Sequence, residues 1–333
     1  MGAAGVDVPR SPVRHSAFVT ADTRRSAPLH GSTGHDASTA WISWLRVVAI
    51  AGVVTIHTVG GTASMPGARE TVRGQAAILL DIGAIFAVPV FVMISGALVL
   101  DPTRYRGAQA FLRRRIWRIV VPLVVWHLWY YVLIVVVMDV PMTPKAALVA
   151  AINGNLYSAL YFFWIVLGLS LIAPVLIPFI ADSGAKGALV AGLGFAAIPV
   201  VTIATMRLRG VSTVLTDLAW TWWLPYLGFF LLGWACRGAL LHGWSLAVVG
   251  LGSTALGFTL AWQWRNPEAP SWLQTISPVS YYSLSVLLYS TGVFVTAHSL
   301  VRPAACSRRS RGRARRRWDG SSGTPLSASS PFT

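Results

Sequence analysis

Eight apolar runs, each close to the roughly 20 residues a helix needs to cross a bilayer, constrain what this chain can fold into. They fall at about 41–60, 76–100, 116–138, 157–180, 186–205, 218–236, 244–263 and 279–301. Lipid offers no partner for backbone N–H and C=O groups, so runs of this length and character close their hydrogen bonds internally, as helices. Only 11% of the residues are charged, whereas a soluble domain carries about 25%. The sequence therefore predicts an all-α polytopic membrane protein with about eight transmembrane helices.

The distribution of charge sets its orientation. Of 27 Lys and Arg, eight lie in the tail at Arg302, Arg308, Arg309, Arg311, Arg313, Arg315, Arg316 and Arg317. Six more, Arg104, Arg106, Arg113, Arg114, Arg115 and Arg118, fall between the second and third runs. The opposite loops hold only Arg69, Arg73, Lys145, Arg207, Arg209 and Arg265. An excess of cations on cytoplasmic loops is the usual orientation signal, and with an even span count it places both termini inside. Basic clusters also suit nucleic acid, but beside apolar spans topology accounts for them, and no nucleic-acid partner is expected. Cys236 and Cys306 give neither a disulfide framework nor a metal spacing. Residues 1–40, rich in Ser, Thr, Ala, Pro and Arg, read as a disordered cytoplasmic arm. Residues 41–301 form the transmembrane domain, and 302–333 read as a basic, disordered tail.

Within the first run, WISWLRVVAIAGVVTIHT, two ionisable residues stand out, Arg46 and His57. Ionisable side chains at membrane depth are costly and mark functional sites. Eleven positions at about 100° each make close to three turns, so both share one helix face, roughly 16 Å apart along the axis. In the second run, Asp81 lies near the outer end, as His57 does, and becomes its neighbour if the first two helices pack together. Pro89 in the same run removes a backbone donor and is expected to bend the helix. Ser95 and Gly96 lie deeper, where small residues permit close helix approach.

Five segments, in order along the chain, resemble the landmarks of acyltransferase family 3, the membrane O-acyltransferases of surface polysaccharides, glycolipids and some natural products. Arg46 and His57 match the family's Arg–His pair in the first helix. VPVFVMISG (88–96) is similar to its Pro-x-Phe-Phe-x-x-Ser-Gly segment, and RRRIWRIVVP (113–122) to its basic approach to the third helix. YFFWIVLGLSLIAP (161–174) and LPYLGFFLLGW (224–234) resemble two later segments. Phe162 stands where many members carry His. The family usually has ten spans; here the pattern stops after the eighth, and the composition switch at Val301 reads as a truncated or frameshifted end.

The resemblance implies transfer of a short acyl group, acetyl in common members, from acyl-CoA to a hydroxyl of a sugar or glycoconjugate. It implies a multi-pass protein of a bacterial-type plasma membrane, in contact with lipids, with acyl-CoA as co-substrate and no permanently bound cofactor. His57 is the candidate general base, since imidazole titrates near neutrality, and Asp81 the candidate orienting carboxylate. Arg46 would contact the phosphate or pantetheine part of the donor, and Arg113, Arg114, Arg115 and Arg118 its nucleotide phosphates.

Plainer readings stand beside these. Arg46 can snorkel to headgroups, His57 can be an interfacial histidine, and the arginine cluster can serve topology alone. Ser95, Tyr161, Trp164 and His127 read as packing residues. Two other functions fit intramembrane Arg and His: a transporter or flippase of a lipid-linked sugar, and an inactive remnant lacking the last two spans.

Overall fold

A computed structural model describes residues 33–211 and 219–319, with side chains described over 41–157, 159–211 and 219–301. Residues 1–32 of the arm and 320–333 of the tail lie outside the described residues. Among the described residues ten α-helices follow one another: α1 (Thr33–Ala63), α2 (Val72–Gly83), α3 (Ala87–Val99), α4 (Ala108–Val132), α5 (Pro144–Ile152), α6 (Tyr161–Leu208), α7 (Leu227–Ala235), α8 (Trp244–Arg265), α9 (Ser271–Ile276) and α10 (Leu284–Asp319). Among the described residues there is no strand. Helices α1 and α10 run past the boundaries that composition drew at 40 and 301.

Among the described residues, six helical segments are long and apolar enough to cross a membrane. One of them, α6, has 48 residues, about 72 Å at 1.5 Å per residue and more than twice a bilayer's hydrocarbon thickness. It is broken at Gly184, whose φ of 64° and ψ of −162° only glycine adopts readily. The fourth and fifth apolar runs are therefore two crossings joined at that residue. The sixth run, 218–236, has as its one α-helix among the described residues the nine-residue α7, preceded by 3-10 turns at Ala219–Thr221 and Leu224–Tyr226 and followed by one at Cys236–Gly238. It is too short to span by itself and is fully enclosed by its neighbours.

The second crossing is broken too, and for a readable reason. Helix α2 ends at Gly83 and α3 begins at Ala87. Pro89 sits in the first turn of α3, where its missing N–H leaves nothing unpaired, and its ring excludes a continuous helix at the carbonyl four residues back. The expected bend at Pro89 is thus a break one turn earlier. The break frees the Gly83 carbonyl, and the Tyr289 hydroxyl from α10 donates to it at 2.8 Å.

The core is the crossing of α3, α6 and α7, helices that pack extensively on each other. Residues Leu227 to Trp234 are all buried. Backbone meets backbone there: a Cβ on Gly96 would collide with the Phe230 carbonyl, and one on Gly233 with the Met93 carbonyl. Small residues allow this approach in a membrane, where van der Waals packing rather than exclusion of water holds helices together. By contrast α4 turns Trp117, Val121, Val124, Val125, Leu128 and Trp129 outward, as a helix facing acyl chains does.

Interhelix contacts separate two ends. At the end carrying the arginine cluster, the inner end by the charge bias, the Ser299 hydroxyl accepts from the Leu241 N–H at 2.9 Å. There too the His298 ring lies 4.4 Å from Trp41 and its Nδ1 is 2.7 Å from the Ala239 carbonyl. At the outer end Arg265 donates to Gln75 at 2.9 Å, and Gln263 to the Ser277 carbonyl at 3.1 Å.

Candidate functional site

Helix α1 packs through Trp41, Ile42, Leu45, Ala49 and Gly52, which are buried, against α2, α3 and α10. Arg46 and His57 lie about a quarter turn or slightly more off that stripe, at nearly the same helical angle. Both are exposed on the protein surface. The shared face read from their spacing is a free edge of the bundle, and neither residue is tied down by a hydrogen bond or ion pair among the described residues.

Asp81 approaches that edge from α2. Its Oδ1 lies against α1 at Gly60, 3.4 Å from where a Cβ would stand there. Gly60 is three residues above His57, on the same side of the helix. Asp81 and His57 interact electrostatically, but among the described residues no ion pair or hydrogen bond joins them. Helix side chains reach back over the turn that precedes them, so His57 points inward along α1 while Asp81 meets the helix one turn further out. The two are neighbours, as their depths suggested, without forming a dyad.

The inner end is different. Arg114, Arg115 and Arg118 on α4 line a cavity of about 300 Å³ together with Arg104, Tyr105 and Arg106 from the α3–α4 loop. Leu98, Phe111 and Ile177 supply apolar wall. Arg115 donates from Nε to the Ser170 hydroxyl at 3.0 Å, and Ser170 donates in turn to the Val166 carbonyl at 2.6 Å. Ser170 is 1% exposed, so this bond fixes one guanidinium from inside the fold. Asp101 lies 3.7 Å from both Arg104 and Arg237, and the Arg237 guanidinium sits 4.5 Å over the Trp234 ring.

Of the four cluster arginines, three line the cavity; Arg113 does not. Arg46 stands on α1 and does not line it either. Arg104 and Arg106, which the charge pattern marked only as topology signals, belong to the same wall. Ser170 and Asp101 were missed altogether, because nothing in the local sequence shows that a helix serine 55 positions away meets Arg115. His127 bonds through Nδ1 to the Leu123 carbonyl at 2.7 Å and stands edge-on to Trp164 at 6.1 Å, the contacts of a structural histidine. Phe162 packs on Phe91 with ring centroids 5.7 Å apart. Among the described residues no cluster of three or more His, Cys, Asp or Glu is arranged for a metal ion.

A family model described as an acyltransferase domain matches residues 39–310, which takes in every residue of both constellations. Neither the search of curated proteins nor that of solved structures gave a match.

Proposed function

Because the chain belongs to acyltransferase family 3, we propose that it moves a short acyl group, acetyl, from acyl-CoA to a hydroxyl of a sugar or glycoconjugate in a bacterial-type plasma membrane. The observation that carries the donor half is the inner cavity. Planar guanidinium forks suit phosphate oxygens, and five arginines from two elements converge there on about 300 Å³. The nucleotide phosphates of the donor are the ligand with that charge. CoA is a co-substrate here, with no cofactor held permanently.

His57 supports the acceptor half. It is the one imidazole near the outer end of the α1 edge, exposed to a hydroxyl arriving from outside. In the reaction His57 takes the proton as the acceptor oxygen attacks the thioester carbonyl. The tetrahedral oxyanion then collapses, the C–S bond breaks, and the proton leaves with the thiol as CoA–SH. Asp81 stands close enough to stabilise the imidazolium formed between those steps, and Arg46 extends the same edge toward the donor. Arg113 adds charge outside the cavity.

The test is acyl-CoA turnover by membranes containing the chain, beside His57→Ala. Turnover that disappears in the variant supports the assignment; turnover that survives removes His57 from the chemistry. Movement of a lipid-linked sugar without any acyl-CoA requirement would instead identify a flippase.

A further inference from the structure

The outer end holds a second built cavity, of about 280 Å³, close to the lower limit of roughly 300 Å³ for ligand pockets. Four separate stretches of chain line it: Arg69 from the α1–α2 loop, Arg207 at the end of α6, Gln263, Trp264 and Asn266 around the end of α8, and Gln274 on α9.

Its hydrogen-bonding character is one-sided. Gln263 Nε2 donates to the Ser277 carbonyl at 3.1 Å, and Asn266 Nδ2 to the Trp262 carbonyl at 2.7 Å. Gln274 Nε2 donates to the carbonyls of Pro267 and Ala269, both at 2.8 Å. A backbone carbonyl only accepts, so each amide is oriented by its partner with its own oxygen left over. Among the described residues none of the three amide oxygens receives a hydrogen bond. For Gln263 this carries a cost: the residue is 7% exposed, and its Oε1 is buried without a partner. That oxygen is closed off from the cavity, so Gln263 serves the wall through its bond to Ser277, and the amide acceptors left to a ligand are those of Asn266 and Gln274.

The remaining lining completes a recognisable set. Trp264 is exposed and lines the cavity as well. Arg69 and Arg207 are exposed, have no ion-pair partner among the described residues, and share the cavity with no carboxylate. Two amide acceptors for hydroxyl donors, one aromatic side chain and two guanidinium groups with no carboxylate in the cavity suit a sugar ring bearing an anionic substituent. A neighbouring hollow shares Arg69 and Trp264 and reaches Ala63, the last residue of α1. His57 lies six residues, about 9 Å, further down that helix.

We propose that this cavity binds the acceptor as an acidic saccharide. Its ring lies on Trp264, its hydroxyls donate to Asn266 and Gln274, and its carboxylate or phosphate is held by Arg69 and Arg207. The word acceptor rests on the acyltransferase reading above; the saccharide site does not.

The test is equilibrium binding of glucuronic acid and of glucose to the purified full chain in phosphatidylcholine nanodiscs. Glucuronic acid is expected to bind more tightly than glucose by about tenfold or more, the worth of one charged hydrogen bond. Arg207→Gln, an exposed change that leaves the core untouched, removes that preference. Trp264→Ala weakens both sugars. Affinities indifferent to Arg207→Gln and Trp264→Ala would overturn the proposal. So would competition by phosphatidylglycerol with no preference for glucuronic acid over glucose, which would identify a lipid-headgroup site. Sugar binding that follows these residues in a chain without acyl-CoA turnover supports the cavity and refutes the acyltransferase reading. Turnover without such binding does the reverse.

Discussion

The inner arginine cavity and the outer His57–Asp81 pair differ in how much of their geometry the protein fixes by itself. Inside, Arg115 is anchored on buried Ser170, and Asp101 lies between Arg104 and Arg237. Outside, His57 is exposed and makes no hydrogen bond among the described residues. A donor common to many reactions can be met by a rigid, preorganised charge pattern. The outer pair is open, and on the proposed function its hydrogen bonds would tighten with substrate in place, as catalytic ones often do. On the proposed function the two ends should therefore respond differently to substitution, the inner one through binding and the outer one through the chemical step.

The largest expected effect is at His57. His57→Ala should lower kcat for acyl transfer by about 10²–10⁴, the usual worth of a general base, with KM for acyl-CoA little changed. Next comes Arg115→Ala, expected to raise that KM by about 10- to 100-fold, the worth of a hydrogen bond to a charged group, with kcat preserved at saturation. Ser170 keeps its own bond to Val166 in that variant, so no buried donor is orphaned and the fold should survive. A fall in kcat with unchanged KM would erase the distinction between the ends. Asp81→Asn should cost kcat less than about tenfold, because no hydrogen bond to His57 is in place to lose. A loss as deep as that of His57→Ala would show that the pair closes when substrate binds. Smallest of all, Asp101→Asn should move the KM for acyl-CoA within about twofold, since ion pairs near the surface contribute little; steady-state kinetics on the same membranes would detect a larger shift.

Much of this architecture was legible in the sequence, because lipid converts apolar length directly into helices. The gap between the fourth and fifth runs, where Asp182, Ser183 and Gly184 interrupt the apolar pattern, marked the turn inside α6. Pro89 marked a distortion, though not its place, since a proline disturbs the turn before it rather than its own. The sixth run misled in extent: its aromatic stretch looks like a span margin, yet only Leu227–Ala235 is α-helical. The candidate residues divide the same way. Arg114, Arg115 and Arg118 sit at helical spacing, so their convergence follows from local geometry. Arg104, Arg106 and Ser170 join them only through the packing of α4 on α6 and the path of the α3–α4 loop. The outer cavity is the extreme case, its lining drawn from residues as far apart as Arg69 and Gln274.

The interruption between Gly83 and Ala87 has a wider consequence. Below it, α3 is locked to α7 by main-chain contact at Gly96 and Gly233, where even one added methyl has no room. Above it, α2 carries Asp81, and its closest main-chain approach, at Gly74, is to Ala68 in the adjoining α1–α2 loop rather than to another spanning helix. The crossing is therefore two modules with separate tolerances for change. A lineage could retune the outer half for new acceptors, residue by residue, while inheriting the inner half intact.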